Sequence, residues 1–312
     1  MTDTKYSPST WLLVLNPVSG RGAGRRDRMR IEAAMRSHGI DFHSAMSEYA
    51  GHTQVLVAEA VASGCRRVVV AGGDGSLNEA ANGILGQETV AAEQVRLSLI
   101  PVGTGNDWAR MRSIPRGYTE AAGLLVRGRV VRQDAGRIDF ASGERRYFVN
   151  VAGAGFDAAV LEHLPRWRLG RLSYLVGLLR ALAAYRPLPL RWRHDGGVEA
   201  DAQAFVMFAC NGRFCGGGML VAPDASDADG RLEFVLIRHM PRLEVLRSLP
   251  RLFDGSIYGH PGVSHWTAAN LDLIGPAGTA VEADGELVGK LPATLGIARA
   301  ALGVVVGGEA SP

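Results

Sequence analysis

The sequence predicts an α/β region followed by a mainly antiparallel β region, and three observations carry that expectation. Between residues 11 and 107 a short apolar run, a glycine-rich turn and a helix-compatible stretch recur three times in that order, the grammar of strands joined by helical crossovers. From about Val130 the texture changes to short alternating or β-branched runs separated by Gly, Asp, Asn and Pro. The chain has 312 residues, 47% hydrophobic and 21% charged, enough to build two ordinary domains.

Taken in order, Trp11 to Leu15 leads into Asn16-Pro17-Val18-Ser19-Gly20, and Val68 to Ala71 into Gly72-Gly73-Asp74-Gly75. The third run, Leu97 to Ile100, leads into Pro101-Val102-Gly103-Thr104-Gly105. Near-continuous Val, Leu and Ile predicts strands buried on both faces. Arg25 to His38 and Thr53 to Ser63 carry apolar residues at helical spacing and supply the crossovers. In the second region the predicted strands are Tyr147 to Val151, Phe205 to Cys210, Leu232 to Ile237 and Ala268 to Ile274, with one helical interruption at Arg171 to Tyr185.

Composition excludes several classes. A formal charge of +3 is small for this length and calls for no nucleic-acid partner. Cys65, Cys210 and Cys215 are odd in number and lack CxxC spacing, which argues against a disulfide framework or a thiolate zinc site and fits a reducing compartment. Met1 to Thr10 is polar and Trp11 to Leu15 too short for a signal segment, so cytoplasmic residence is expected. Leu169 to Ala184 is interrupted by Arg171 and Arg180 and falls short of the ~20 residues of a membrane span. The lysines are Lys5 and Lys290, and Gly289-Lys290-Leu291 is no Walker A loop, so neither a P-loop nor a protein kinase is indicated. There is no HExxH and no GxSxG. Gly153 to Ala158 matches GxGxxA, yet no acidic residue follows at dinucleotide spacing, and it reads as a structural turn.

The most informative stretch is Arg67 to Glu79, where strand, tight turn and helix start follow without a spare residue. Ser76 and Glu79 stand at capping-box spacing. Glycines let the main chain approach a ligand, and a helix start aims unpaired N–H groups at it, so an anion is the natural occupant. Asp74 makes sense beside a phosphate if Mg²⁺ lies between them. Gly103-Thr104-Gly105-Asn106-Asp107 also follows a buried strand, and in a parallel sheet both turns emerge at the carboxyl edge, where ligands of such folds sit.

These turns, with Asn78-Glu79 and Asn16 to Gly20, together resemble the catalytic domain of diacylglycerol and sphingosine kinases. Asn150 to Asp157, Asn211 to Met219, Ala222 to Ala225, Asp229-Gly230 and Asp284-Gly285-Glu286 resemble the blocks of the family's bacterial lipid kinases, in the family's order. The resemblance implies an α/β nucleotide-binding domain similar to NAD kinase and phosphofructokinase, residues 1–133 with a segment returning at about 298–312. A β-sandwich lipid-substrate domain, 134–297, would complete the cleft. It places ATP against Asn16, Gly72, Gly73, Asp74, Gly75, Ser76, Asn78, Glu79, Gly103, Thr104, Gly105, Asn106 and Asp107, with Ser47 nearby. Catalysis would fall to Asp74, to Glu286 as general base, and to Asp284 as its orienter or a metal holder; Asp284-Gly285 also reads as a plain hairpin turn. A separate metal site is implied at Asp229 with the carbonyls of Ser226 and Arg231, where an ordinary polar turn is the competing reading. Ser76 departs from the usual Thr and Cys215 from an often aromatic position.

Arg166 to Arg193 interleaves Arg166, Arg168, Arg171, Arg180, Arg186, Arg191 and Arg193 with Trp167, Tyr174, Tyr185 and Trp192, a mixture that suits an anionic lipid interface or a solvated amphipathic helix. The expected function is ATP- and Mg²⁺-dependent phosphorylation of a lipid alcohol, diacylglycerol or a relative, by a protein peripheral at the inner face of the membrane. A soluble kinase resembling NAD kinase and a non-catalytic lipid-binding protein are the alternatives. Neither the lipid nor the choice between monomer and homodimer follows from the sequence.

Overall fold

A computed structural model describes residues 6–7, 9–163 and 180–307. The chain divides into two compact units, one holding the residues up to Gln133 with the segment from Ala300, the other Asp134–Arg299.

The first unit contains β1 (Trp11–Leu15), α1 (Ser19–Arg26), α2 (Arg28–Ser37), β2 (Phe42–Met46), α3 (His52–Ala62), β3 (Arg67–Gly72), α4 (Asp74–Leu85), β4 (Arg96–Pro101), α5 (Asp107–Met111) and α6 (Tyr118–Arg127). Its strands β2-β1-β3-β4 pair in parallel in that order, and residues Gly303 and Val304 of the last strand pair in parallel with Arg96 and Leu97. β1, β3 and β4 are buried almost throughout, as strands covered on both faces must be. The helices form two packed pairs, α3 with α4 and α2 with α6. β2, at the sheet's edge, is Phe-His-Ser-Ala-Met and half exposed, and it carries no apolar run that a sequence reading could find.

The second unit is antiparallel throughout. Its strands are β5 (Arg129–Phe140, from Asp134 on), β6 (Arg145–Phe148), β7 (Val151–Gly155), β8 (Leu188–His194), β9 (Ala200–Cys210), β10 (Phe214–Cys215), β11 (Met219–Leu220), β12 (Leu232–Arg238), β13 (Val263–Ala268), β14 (Asn270–Ile274), β15 (Ala280–Ala283), β16 (Glu286–Lys290) and the first part of β17 (Ala293–Val306). β9 is the hub, pairing with β7, β8 and β12. Side chains alternate across it: Met207 and Ala209 enter one apolar cluster, with Phe148, Trp192, Phe234 and Leu271, while Val206, Phe208 and Cys210 enter another on the opposite face. Helical residues cover that second face: α7 (Phe156–Glu162), residues 180–184 and α8 (Arg242–Ser248), followed by the short α9 (Arg251–Asp254).

Two predicted strands break for one physical reason. Tyr147 to Val151 is not continuous, because the amides of Val149, Asn150 and Val151 are taken by the carboxylate of Asp284. Ala268 to Ile274 breaks at Ala269, where the Asp195 carboxylate accepts the N–H groups of Ala269 and Asn270, each at 3.0 Å. The helical interruption expected at Arg171 to Tyr185 is helical at 180–184; residues 164–179 lie outside the described residues. α7, α8 and α9 add helices that the sequence reading did not anticipate.

Candidate active site

β3 delivers Gly72 and Gly73 to the carboxyl edge of the first unit's sheet, and β4 delivers Val102 and Gly103 beside them. The Gly72 carbonyl accepts the N–H groups of both Val102 and Gly103, at 2.8 and 2.9 Å. The turns touch at their glycines: a Cβ on Gly103 would stand 2.5 Å from the Gly73 Cα, and one on Gly73 would stand 3.2 Å from the Gly103 Cα. Both positions therefore require the bare backbone for close approach rather than for any unusual φ.

Asp74 fastens the pair. Its Oδ2 accepts the N–H of Asp107 at 3.1 Å and its Oδ1 that of Trp108 at 3.0 Å, so the carboxylate caps the start of α5. Asn106 sits in the left-handed region at φ 53°, and its Nδ2 donates to the Gly103 carbonyl at 2.7 Å. That bond fixes the amide's orientation and leaves the buried Oδ1 with no hydrogen-bond donor. A Cβ on Gly103 would come within 2.8 Å of the same oxygen.

The loop after β1 joins the assembly through Asn16, whose Nδ2 donates to Ser76 Oγ at 2.7 Å and whose Oδ1 accepts from Val18 N. Gly20, with φ 58°, lies so close to the Val102 carbonyl that a Cβ would meet that oxygen at 2.2 Å. Ser47, buried at the end of β2, donates its N–H to the Leu15 carbonyl at 2.9 Å.

The capping box expected from Ser76 and Glu79 does not form. Gly73 is the N-cap of α4 and no side chain caps that end. Ser76 is instead engaged by Asn16, and Glu79 reaches across to the start of α3, accepting Gly51 N at 2.8 Å and Thr53 N at 3.0 Å. Asn78 is buried and receives the Asn82 amide along the helix. Gly75 and Gly105 are half-buried and Thr104 is exposed. Among the predicted nucleotide residues, hydrogen bonds and glycine contacts thus join Asn16, Gly72, Gly73, Asp74, Ser76, Gly103, Asn106 and Asp107 into one constellation. At the α3 start that Glu79 holds, Tyr49 stacks on His52 at 4.4 Å and is 59% exposed, an aromatic surface that the sequence reading passed over.

In the second unit, Asp284 and Gly285 form the two-residue turn between β15 and β16, both left-handed at φ 48° and 86°. The Asp284 carboxylate accepts three main-chain N–H groups, Val149 at 2.7 Å, Asn150 at 2.9 Å and Val151 at 3.1 Å. Asn211 adds to this scaffold by donating to the carbonyls of Asp134 and Val149. Glu286 follows the turn as the exposed first residue of β16. Asp229 Oδ1 accepts the N–H of Arg231 at 2.9 Å, the polar-turn geometry. The Arg231 side chain is bound to Thr267, and Ser226 immediately precedes the turn at 227–228. No group of three or more His, Cys, Asp or Glu side chains among the described residues is arranged to hold a metal ion.

A second pair of carboxyls was missed altogether. Asp157, which opens α7, and Glu282 of β15 are buried together; burial pushes Asp157 up to about 7 and Glu282 well above the ordinary carboxylate range, each acting on the other. A Cβ on Gly153 would collide with Asp157 Oδ2, so the GxGxxA glycine serves this carboxyl. The neighbouring Tyr185 hydroxyl is pushed up by burial and by the Asp157 charge.

Against known proteins, residues 10–138 match the diacylglycerol kinase catalytic domain, and residues 150–306 match the YegS C-terminal NAD kinase beta sandwich-like domain. The chain belongs to the diacylglycerol kinase family. It is 34% identical over 293 residues to a diacylglycerol kinase of Mycobacterium tuberculosis (strain H37Rv), covering 93% of each chain. It is 30% identical over 283 residues to a Yersinia enterocolitica protein described as "Probable lipid kinase YegS-like", covering 89% of this chain and 91% of that one. Among solved structures, a diacylglycerol kinase from Bacillus anthracis superposes with a TM-score of 0.71 at 20% identity, covering 97% of this chain and 98% of that chain. An NAD kinase from Archaeoglobus fulgidus gives 0.50 at 14%, covering 95% and 92%. The fold is therefore that of the diacylglycerol and NAD kinases, an α/β domain followed by a β-rich one, and the protein is a kinase of this family.

Proposed function

We propose that this kinase transfers the γ-phosphoryl group of ATP to a hydroxyl of a lipid alcohol, diacylglycerol or a close relative, at a membrane surface. The observation that carries the reading is the interlocked pair of glycine turns, Gly73 against Gly103, beside an α4 start that no side chain caps. A helix end of this kind leaves main-chain N–H groups for an anion, and a backbone free of Cβ atoms lets phosphate oxygens come close. No lysine is needed where amides do this work. The Asn106 Oδ1, buried without a donor, and the Asp74 carboxylate, with lone pairs beyond its two amide bonds, suit a hydrated divalent cation better than a bare phosphate. Mg²⁺ held there would offset the charge of the phosphate oxygens.

In the reaction, the acceptor hydroxyl oxygen forms a bond to the γ-phosphorus while the bond from that phosphorus to the β–γ bridging oxygen breaks, and ADP departs with the electron pair. The hydroxyl proton passes to the Glu286 carboxylate, whose exposure at the head of β16 leaves it accessible to an acceptor. Asp284 supports it as a positioning residue, holding the turn that presents Glu286 through its three amide bonds. In this reading the first unit binds the nucleotide and the second the lipid.

The test is transfer of labelled phosphate from ATP with Mg²⁺ to a panel of lipid alcohols, with Glu286→Gln and Asp74→Ala as controls. Label appearing in a lipid with wild type and lost with both variants supports the reading. If no lipid is labelled and calorimetry with Mg²⁺ detects no ATP uptake, the reading is wrong.

A further inference from the structure

A kinase that acts on a lipid must meet its substrate at a surface, and α8 with α9 is built for that meeting. Leu243 and Leu246 on α8 and Phe253 on α9 are 58%, 41% and 61% exposed, large apolar side chains turned to solvent within eleven residues. On the same short segment, residues 238–254, stand Arg238, Arg242, Arg247 and Arg251 against Glu244 and Asp254, a net charge of +2 when the whole chain carries only +3. Both acids are engaged: Glu244 lies 3.3 Å from His260, and Asp254 caps Ser256 N at 2.9 Å.

The order of residues around α8 gives the segment its direction. At about 100° per residue, the sequence around the helix runs Arg242, Leu246, Leu243, Arg247 across an arc of roughly 140°, two leucines flanked by two arginines. Val245 points the opposite way and is buried in the apolar cluster on this face of the second unit, with Leu252 packed against the same cluster. The helix is thus anchored by one face, while among the described residues its other apolar face stays unpartnered. Arg242 also ties it to the neighbouring helical residues 180–184, donating to the Ala183 carbonyl at 2.7 Å, and Arg180 and Arg186 there are exposed cations of the same surface. Of the arginine-rich stretch singled out in the sequence, Arg191 and Arg193 stand on β8 paired with Glu199 and Asp272, Trp192 is buried, and Arg166, Trp167, Arg168, Arg171 and Tyr174 lie outside the described residues.

We infer that α8 and α9 form a membrane-docking surface, Leu243, Leu246 and Phe253 entering the acyl boundary and Arg242, Arg247 and Arg251 meeting anionic lipid phosphates. The occupant is an anionic bilayer rather than a protein, because the segment is net positive with both of its acids engaged, and guanidinium groups flank the apolar row where headgroups would lie. The inference rests on the lipid-kinase reading, which it sharpens by naming the surface.

The test uses the full chain and vesicles of phosphatidylcholine, with or without phosphatidylglycerol. Wild type should co-sediment with the mixed vesicles and far less with phosphatidylcholine alone. L243E/L246E/F253E should lower binding to mixed vesicles roughly tenfold or more, and R242Q/R247Q/R251Q should weaken it while flattening its dependence on salt. In parallel, each protein is assayed on a short-chain diacylglycerol dispersed as monomers, where both variants should retain wild-type turnover, showing that they are folded. Wild-type failure on the dispersed substrate would count against the lipid-kinase reading itself. Turnover of that substrate with vesicle binding absent in wild type, or unchanged in both variants, would overturn the docking inference alone.

Discussion

Replacing Gly103 by alanine isolates the contact on which nucleotide binding is argued to depend. The added methyl would stand 2.5 Å from the Gly73 Cα and 2.8 Å from Asn106 Oδ1, both belonging to the other elements of the constellation. Carbon atoms rest at about 3.5–4.0 Å, so the two turns must part by roughly 1 Å. Parting lengthens the bonds from Val102 and Gly103 to the Gly72 carbonyl and shifts the α5 amides held by Asp74. Overpacking of this kind costs about 1–3 kcal/mol of stability. Its effect on chemistry should be larger, since a misplacement of about 1 Å can lower turnover by roughly a hundredfold. Gly73→Ala, whose methyl would meet the Gly103 Cα at 3.2 Å, should be milder in both respects. The measurements are kcat/KM for ATP and calorimetric ATP affinity, beside a melting curve that reports the stability cost separately. Gly103→Ala protein with wild-type ATP affinity and turnover would refute the argument that these turns form the phosphate cradle.

Glu286→Gln should lower kcat by about 10²–10⁴-fold while leaving ATP affinity unchanged, read from steady-state rates and calorimetry; equal losses in both would assign the residue to binding instead. Asp284→Ala removes a carboxylate that holds three amides and should destabilise the second unit by about 2–4 kcal/mol, seen as an earlier melting transition, with Asp284→Asn intermediate. Asp157 titrates near 7 in the folded protein against an ordinary 3.8, so between those values the folded state holds more protons than the unfolded one. Stability should therefore fall as pH rises from about 4 to 7, by an amount on the order of a few kcal/mol, and Glu282, raised by the same burial, extends the loss in the same direction. Asp157→Asn should flatten that slope and raise stability at alkaline pH; an unaltered pH profile of denaturant midpoints would contradict it.

Much of the first unit was legible because its signals are local. A buried parallel strand needs an apolar run and a crossover helix needs its periodicity, and both are written in consecutive residues, as at Val68 to Ala71 and Thr53 to Ser63. β2 escaped because an edge strand that is half exposed needs no such run. In the second unit, the seam between β13 and β14 and the one between β6 and β7 could not be read, since each is made by a carboxylate on a remote hairpin turn, Asp195 or Asp284, that intercepts amides otherwise destined for a ladder.

The candidate site divides in the same way. The glycine turns, Asp74 and the Asn16 loop were found as motifs, because close backbone approach demands glycine and a helix start wants an acceptor nearby, and both requirements are met within a few residues. Which groups those side chains would hold was not in the motif: Asp74 caps α5, Glu79 caps α3 rather than its own helix, and Asp284 holds the strand break at Val149 to Val151. The buried pairing of Asp157 with Glu282 likewise joins residues distant in sequence. The sequence by itself determined the strands, the turns and the kinds of group placed at them, because backbone propensity and glycine's missing Cβ act over a few residues. Only the tertiary structure decided which amide each carboxylate satisfies, because that choice depends on which desolvated donors folding brings within about 3 Å.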